Sequence, residues 1–130
     1  MIVLDTHVLV NDALDPKRLT RRARAAIEDA HAAGAIACSD VSLWEIAMLI
    51  ARGRLKLDAD AKTFLEAIVH GRAVRVLPIT PAVAVLAQSD EFGHGDPADR
   101  IIAATALAQR APLVSADARL CKLPSLKVIW

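Results

Sequence analysis

Five carboxylates stand out by position, three of them after short apolar runs. Asp5 directly follows Ile2-Val3-Leu4. Glu45 lies early in a helical stretch that comes after Ile36-Ala37-Cys38. Asp96 and Asp99 open an Ala-rich stretch, and Asp117 lies two residues beyond Leu113-Val114-Ser115. Carboxylates that converge raise one another's pKa and destabilise the fold unless a cation joins them. An all-oxygen donor set suits a hard ion, Mg²⁺ or Mn²⁺. Such a site characteristically acts on phosphate esters, where the ion activates a water and offsets developing charge. Neither Cys38 and Cys121 nor the histidines are spaced for zinc. Thr6 and Ser115 sit beside acids, where a hydroxyl can orient a carboxylate or a metal-bound water. His7 and His94 flank two of the acids and are left outside the metal shell. Arg100 is expected to pair with a nearby acid, and Trp44 and Trp130 to pack.

Each acid also has an ordinary structural explanation. Ser42-Leu43-Trp44-Glu45 has the spacing of a capping box, with Glu45 reaching back to the Ser42 amide. Asp96-Pro97-Ala98-Asp99 offers an N-cap, a proline at the first helical position and an acid in the first turn. Asp5-Thr6 and Ser115-Ala116-Asp117 suit turns and caps. Capping does not explain why acids follow at least three strand candidates on one edge.

That edge is defined by the elements around it. Strands are expected at residues 2–4, 36–38, 74–79, 112–115 and 126–130. Helical patterns run over 20–33, 41–52, 60–70, 81–88 and 97–110, with Gly34 and Gly53 as stops. Pro78 marks the third strand as ending there or lying at a sheet edge. Strands alternating with helices imply an α/β domain with a mostly parallel sheet, whose functional residues collect at the carboxyl ends of the strands. Asp5, Glu45, Asp99 and Asp117 would then meet from four segments.

Composition sets the remaining bounds. The 130 residues fit one domain, 1–130, and 55% are apolar with only 3% aromatic, so the core is aliphatic. Sixteen basic residues against fifteen acidic ones give +1, which neither demands nor excludes a nucleic-acid partner. Two basic groups, Arg18, Arg21, Arg22 and Arg24, then Arg52, Arg54 and Lys56, are solvated faces or phosphate contacts. No signal peptide or membrane span is read, and the two cysteines are expected to be small buried thiols in a reducing cytoplasm.

These residues resemble the PIN-domain ribonuclease toxins of the VapC-like kind, found in type II toxin–antitoxin pairs. The likeness runs nearly end to end. It takes in Val3-Leu4-Asp5-Thr6-His7, Val41-Ser42-Leu43-Trp44-Glu45-Ile46, Gly53-Arg54-Leu55 and Val76-Leu77-Pro78-Ile79-Thr80-Pro81. Its most specific part is the block from His94-Gly95-Asp96-Pro97-Ala98-Asp99-Arg100 to Ala106, and Leu113-Val114-Ser115-Ala116-Asp117 closes it. The resemblance implies an α/β/α sandwich around a central, mainly parallel sheet, and metal-dependent endonuclease action on RNA leaving a 3′-hydroxyl and a 5′-phosphate. It assigns Asp5, Glu45, Asp99 and Asp117 to the family's four acidic positions, Asp96 to a further acid, and Ser115 to a hydroxyl near the attacking water. It implies Mg²⁺ or Mn²⁺, an RNA substrate, a cognate antitoxin, a homodimer and toxin–antitoxin hetero-oligomers, and no membrane. Asn11 and Asp12 depart from the family's apolar or aromatic habit. Two rivals remain: a PIN domain serving RNA processing or binding rather than toxicity, and a phosphoacceptor receiver-like domain. The second lacks the acidic pair after the first strand and the late lysine of that class.

Overall fold

The computed structural model describes residues 1–93 and 95–130; His94, named above beside Asp96, lies outside the described residues. Among the described residues five strands form one sheet: β1 (Ile2–Leu4), β2 (Ile36–Ser39), β3 (Arg75–Leu77), β4 (Leu113–Val114) and β5 (Val128–Ile129). Their order is β3-β2-β1-β4-β5 and every pairing is parallel, in register Val3 with Ala37, Val3 with Leu113, Ala37 with Arg75 and Leu113 with Val128. Pro78 follows the edge strand β3, where a missing amide leaves no ladder bond open.

The strands read as short continuous apolar runs because both faces are covered. Period-2 alternation divides them between two cores. Ile2, Leu4, Ile36, Cys38 and Val114 face α1 (Thr6–Leu14), α2 (Arg21–Ala32) and α4 (Ala61–Gly71), meeting Val8, Leu9, Ala23, Ile27, Phe64 and Ile68. Val3, Ala37, Leu77 and Leu113 face α6 (Pro97–Ala108), meeting Ile102, Ala103 and Ala106. The small side chains of α6 let it approach the sheet closely, and α5 (Pro81–Leu86) packs on its outer side through Val83, Ala87 and Ala104. The expected α/β/α sandwich is therefore observed. Helix α3 (Asp40–Ala51) touches both layers, with Ile46 in the first core and Val41 against the second. The short α7 (Ala118–Cys121) follows β4.

Helix starts follow side-chain chemistry. Thr20, Asp60 and Thr80 accept from the amides of Ala23, Thr63 and Val83 at 3.1, 2.8 and 3.2 Å, the two threonine caps contributing about 1 kcal/mol each. The first sandwich layer is tied together by Arg72 beyond the end of α4. Its guanidinium donates to both Asp12 oxygens at 2.9 and 3.0 Å and to Glu28 at 2.8 Å, joining α4 to α1 and α2. That pairing holds Glu28 below the ordinary carboxylate range. It also gives Asp12, the departure from the family's habit, a structural use at the wall of a cavity of about 420 Å³ between α1 and α4.

Four expectations need correction. The capping box is not formed, because α3 starts earlier: Ser39 is its N-cap, Ser42 is buried inside it, and Glu45 accepts from Thr6 instead. Trp44 does not pack; it stands 61% exposed on the outer side of α3, whereas Trp130 does lie against the first core. Among the described residues Arg100 pairs with no acid; it donates to the carbonyls of Ala87, Gly93 and Ser89 at 2.8, 3.0 and 3.3 Å and so holds the segment after α5 against α6. Both cysteines are free, but only Cys38 is buried, its thiol pushed up to about 12 by burial and by Asp40; Cys121 is exposed. Among the described residues no helix is long and apolar enough to cross a membrane.

Candidate active site

The connections from β1 lead one way to β2 and β3, while β4 and β5 lie on its other side. The strand order thus reverses between β1 and β4, and a parallel sheet opens a crevice beyond its carboxyl ends at that point. Asp5 and Ser115 are the first residues past those two strands.

Asp5 is 3% exposed and held from three directions. Its Oδ1 accepts from the Thr6 amide at 2.7 Å as the N-cap of α1. Its Oδ2 accepts from Ser115 Oγ at 2.6 Å and faces His7 Nδ1 at 3.4 Å. The Ala116 amide donates to His7 Nε2 at 3.0 Å, which leaves the ring's proton on Nδ1, toward Asp5. Edge-on contact with Trp130, 5.9 Å between centroids, fixes the ring plane. Ser115 Oγ in turn accepts from the Asp117 amide at 3.0 Å, so one hydroxyl links Asp5 to the segment bearing Asp117.

Thr6 does the same for Glu45. Its hydroxyl lies 2.5 Å from Glu45 Oε1 and 3.1 Å from Ser42 Oγ. Burial raises the Glu45 pKa; the Thr6 bond opposes that, and Asp5 and Asp96 add to it. Asp99, in the first turn of α6, is pushed up to about 7, first by burial and then by the charges of Asp5, Asp96, Glu45 and Asp117. Burial also pushes Asp117 upward, but the Arg119 amide at 2.8 Å and its guanidinium hold the acid below its ordinary value.

The sequence-derived acids are thus brought to one strand edge, but not into one equal ring. Carboxylate oxygens of Glu45, Asp96 and Asp99 lie within 4.8 Å of one another. Asp96, although it caps α6 through Ala98 at 2.8 Å, belongs to this tight group. Asp5 and Asp117 stand beside it, coupled to Asp99 by charge. Two residues were not singled out by the sequence for this arrangement. Arg119 reaches Asp99 and Asp117, and His7 orients Asp5. The nearness of His7 to Asp5 was visible in the sequence; Arg119 sits on a four-residue helix without periodicity to announce it.

A parallel sandwich with acids gathered at its switch point defines a class before it defines a protein. The chain belongs to the PIN-domain family, whose model matches residues 2–126. Among characterised proteins it is similar to Ribonuclease VapC22 of Mycobacterium tuberculosis, 36% identical over 120 residues, 92% of this chain and 88% of that one. Among solved structures it is similar to VapBC2 from Rickettsia felis bound to a DNA fragment from their promoter. That match has a TM-score of 0.69 at 18% identity, covering 98% of this chain and 97% of the other. DNA-bound VapBC from Salmonella typhimurium gives 0.69 at 16% identity, with 98% and 95% covered. At those identities the likeness to the solved structures is one of fold.

Proposed function

We propose that this chain is the toxin of a type II toxin–antitoxin pair and acts as an endoribonuclease dependent on Mg²⁺ or Mn²⁺. The observation that carries this reading is its 36% identity to Ribonuclease VapC22 across 92% of its length. The site supplies the chemistry. Glu45 and Asp99 have raised pKa values, first because they are buried and then because negative charges crowd them, and Asp96 shares their 4.8 Å group. This oxygen-only set fits a hard divalent cation. Asp5, Glu45, Asp99 and Asp117 would hold it, with Asp96 at hand. When bound, the ion supplies an acidified water and offsets charge at the scissile phosphate.

The chain's own residues prepare that reaction. Thr6, Ser115 and His7 leave Asp5 no freedom to turn, and Thr6 fixes Glu45 at the same time. Hydrogen-bonded support of this kind orients acids before substrate arrives. Ser115, bonded to the Asp5 carboxylate and the Asp117 amide, is the hydroxyl that the family resemblance would set near the attacking water. Water adds to phosphorus, the bond to the 3′ oxygen breaks, and that oxygen takes up a proton. The products are a 3′-hydroxyl and a 5′-phosphate.

An RNA substrate makes the cytoplasm the place of action. Its damage to the host requires a cognate antitoxin; the VapBC complexes from Rickettsia felis and Salmonella typhimurium share this chain's fold and support such a partner. The proposed assembly is a homodimer that joins the antitoxin in a larger hetero-oligomer. The test is incubation of the purified, partner-free chain with total RNA, with Mn²⁺, Mg²⁺ or chelator, beside Asp5→Asn. Discrete metal-dependent fragments are expected, lowered by about two orders of magnitude or more in the variant. Equal cleavage by a folded Asp5→Asn protein would falsify the site. Metal-dependent cleavage without growth arrest on induced expression would indicate RNA processing rather than a toxin.

A further inference from the structure

Two arginines border the acidic cleft, and they are held in opposite ways. Arg100 is committed to three backbone carbonyls. Arg119 is anchored only by its backbone, whose amide donates to Asp117 Oδ1 at 2.8 Å. Its side chain is 67% exposed, and Nη2 lies 3.5 Å from Asp99 Oδ2 and 3.4 Å from Asp117 Oδ2. Among the described residues it is the one lysine or arginine paired with either acid. Long, solvent-screened contacts of this kind are weak and cheaply exchanged. They nevertheless place a positive charge between two carboxylates proposed to hold a divalent ion. Two cations cannot share those oxygens at close range without strong repulsion. A guanidinium released from them remains tethered at the cleft mouth, with a planar donor fork that matches phosphate oxygens.

We propose that Arg119 is the movable cation of this site: it neutralises Asp99 and Asp117 before the metal binds, then turns to a phosphate of the RNA. The inference rests on the metal-dependent nuclease reading. It makes Arg119 a substrate-binding residue whose resting partners are the metal's own acids, so metal loading and readiness for RNA are linked through one side chain. RNA therefore gains its contact with Arg119 only once the acids have another counter-ion.

The test is calorimetric titration of Mn²⁺ into the metal-free full chain, for wild type, Arg119→Gln and Arg119→Lys, followed by steady-state cleavage of a mapped RNA. Arg119→Gln is expected to bind Mn²⁺ about three- to tenfold more tightly, because no resident charge has to be displaced. Arg119→Lys keeps the charge and is expected to stay near wild type. With RNA, KM of Arg119→Gln is expected to rise about fivefold or more, with a smaller change in kcat. Equal Mn²⁺ affinity in wild type and Arg119→Gln overturns the proposal while leaving the metal reading intact. So does tightening in Arg119→Lys equal to that in Arg119→Gln, which would trace the effect to side-chain bulk. An unchanged KM overturns the turn to phosphate. No Mn²⁺ uptake by any of the three removes the metal reading, and this proposal with it.

Discussion

The acid with the most distorted titration is Asp99, and the distortion has a sign that stability can read. Its carboxyl is pushed from 3.8 up to about 7 by burial and by four neighbouring acids. The charged form is therefore penalised in the folded state. This group's contribution to stability is fully present below its unfolded pKa and is lost as pH rises through about 7. Asp99→Asn removes the penalty but also an acid from the first turn of α6, where negative charge is worth about 0.3–1 kcal/mol. The titration term, about 1–2 kcal/mol after solvent screening, is the larger. Metal-free Asp99→Asn is expected to melt about 3–6 °C above wild type at pH 8 and to lose that advantage progressively as pH falls from about 7 toward 3.8. Thermal melts in chelator decide this, and an advantage independent of pH would refute the assignment. Added Mn²⁺ should raise wild type and leave the variant largely unmoved. Asp5, Ser115 and Asp117 could be placed from the sequence because strand ends in a parallel sheet are local features, and Glu45 and Asp99 because they lie early in long helical patterns. The double duty of Thr6 was less so: its partners, Ser42 and Glu45, lie 36 and 39 residues away and meet it only after α1 docks on α3.

Elements were read well where periodicity was long and poorly where a single docking event decided them. Helix α2 begins after Thr20 and α4 after Asp60, as expected from cap residues and apolar spacing. Helix α1 carried no such signal: THVLVNDAL mixes β-branched residues with polar ones, and its burial of Val8 and Leu9 against the sheet is what makes it a helix. The start of α3 was misplaced because both Ser39 and Ser42 are plausible caps and both are buried; Ser39 accepts from the Val41 amide at 3.3 Å, while Ser42 meets Thr6 instead. The end of α4 carries strain that the sequence does not advertise. Ala73, exposed just past the helix, has φ +51°, a left-handed conformation that costs a residue with a Cβ about 1–2 kcal/mol. Glycine takes that conformation readily but has more freedom to lose on folding. Ala73→Gly is expected to stabilise the chain by about 0.5–1 kcal/mol, or about 2–5 °C in Tm, without touching the acids. A fall in Tm by the same measurement would show that the turn is not strained.

At the scale of the molecule, the question is what covers the apolar surface that 55% apolar composition leaves over. Trp44 on α3 is 61% exposed and Val85 on α5 is 76% exposed. Both helices pack against α6, so both residues ride on elements grouped around one support. From Ile46 to Ala51, α3 carries no charge, and Ala47 and Met48 on it are only half-buried. A helix apolar on more than one side is ordinarily buried on more than one side. A standard interface takes about 800 Å² from each partner, roughly a ninth of the 7298 Å² surface of this chain. Trp44 and the half-buried residues on its helix suit the centre of such a surface, since aromatic residues concentrate in interface cores. A second copy of the chain would meet this surface in a closed two-fold pairing. Wild type is expected to sediment as a dimer at high micromolar concentration. The double variant Trp44→Glu with Val85→Glu is expected to sediment as a monomer with unchanged circular dichroism, because substitutions at such exposed positions alter folding by about 0.5 kcal/mol or less. A monomeric wild type would refute the homodimer, and a dimer in both proteins would move the interface to another face. The same double variant should keep Mn²⁺ affinity, because neither side chain is among the carboxylates that form the site.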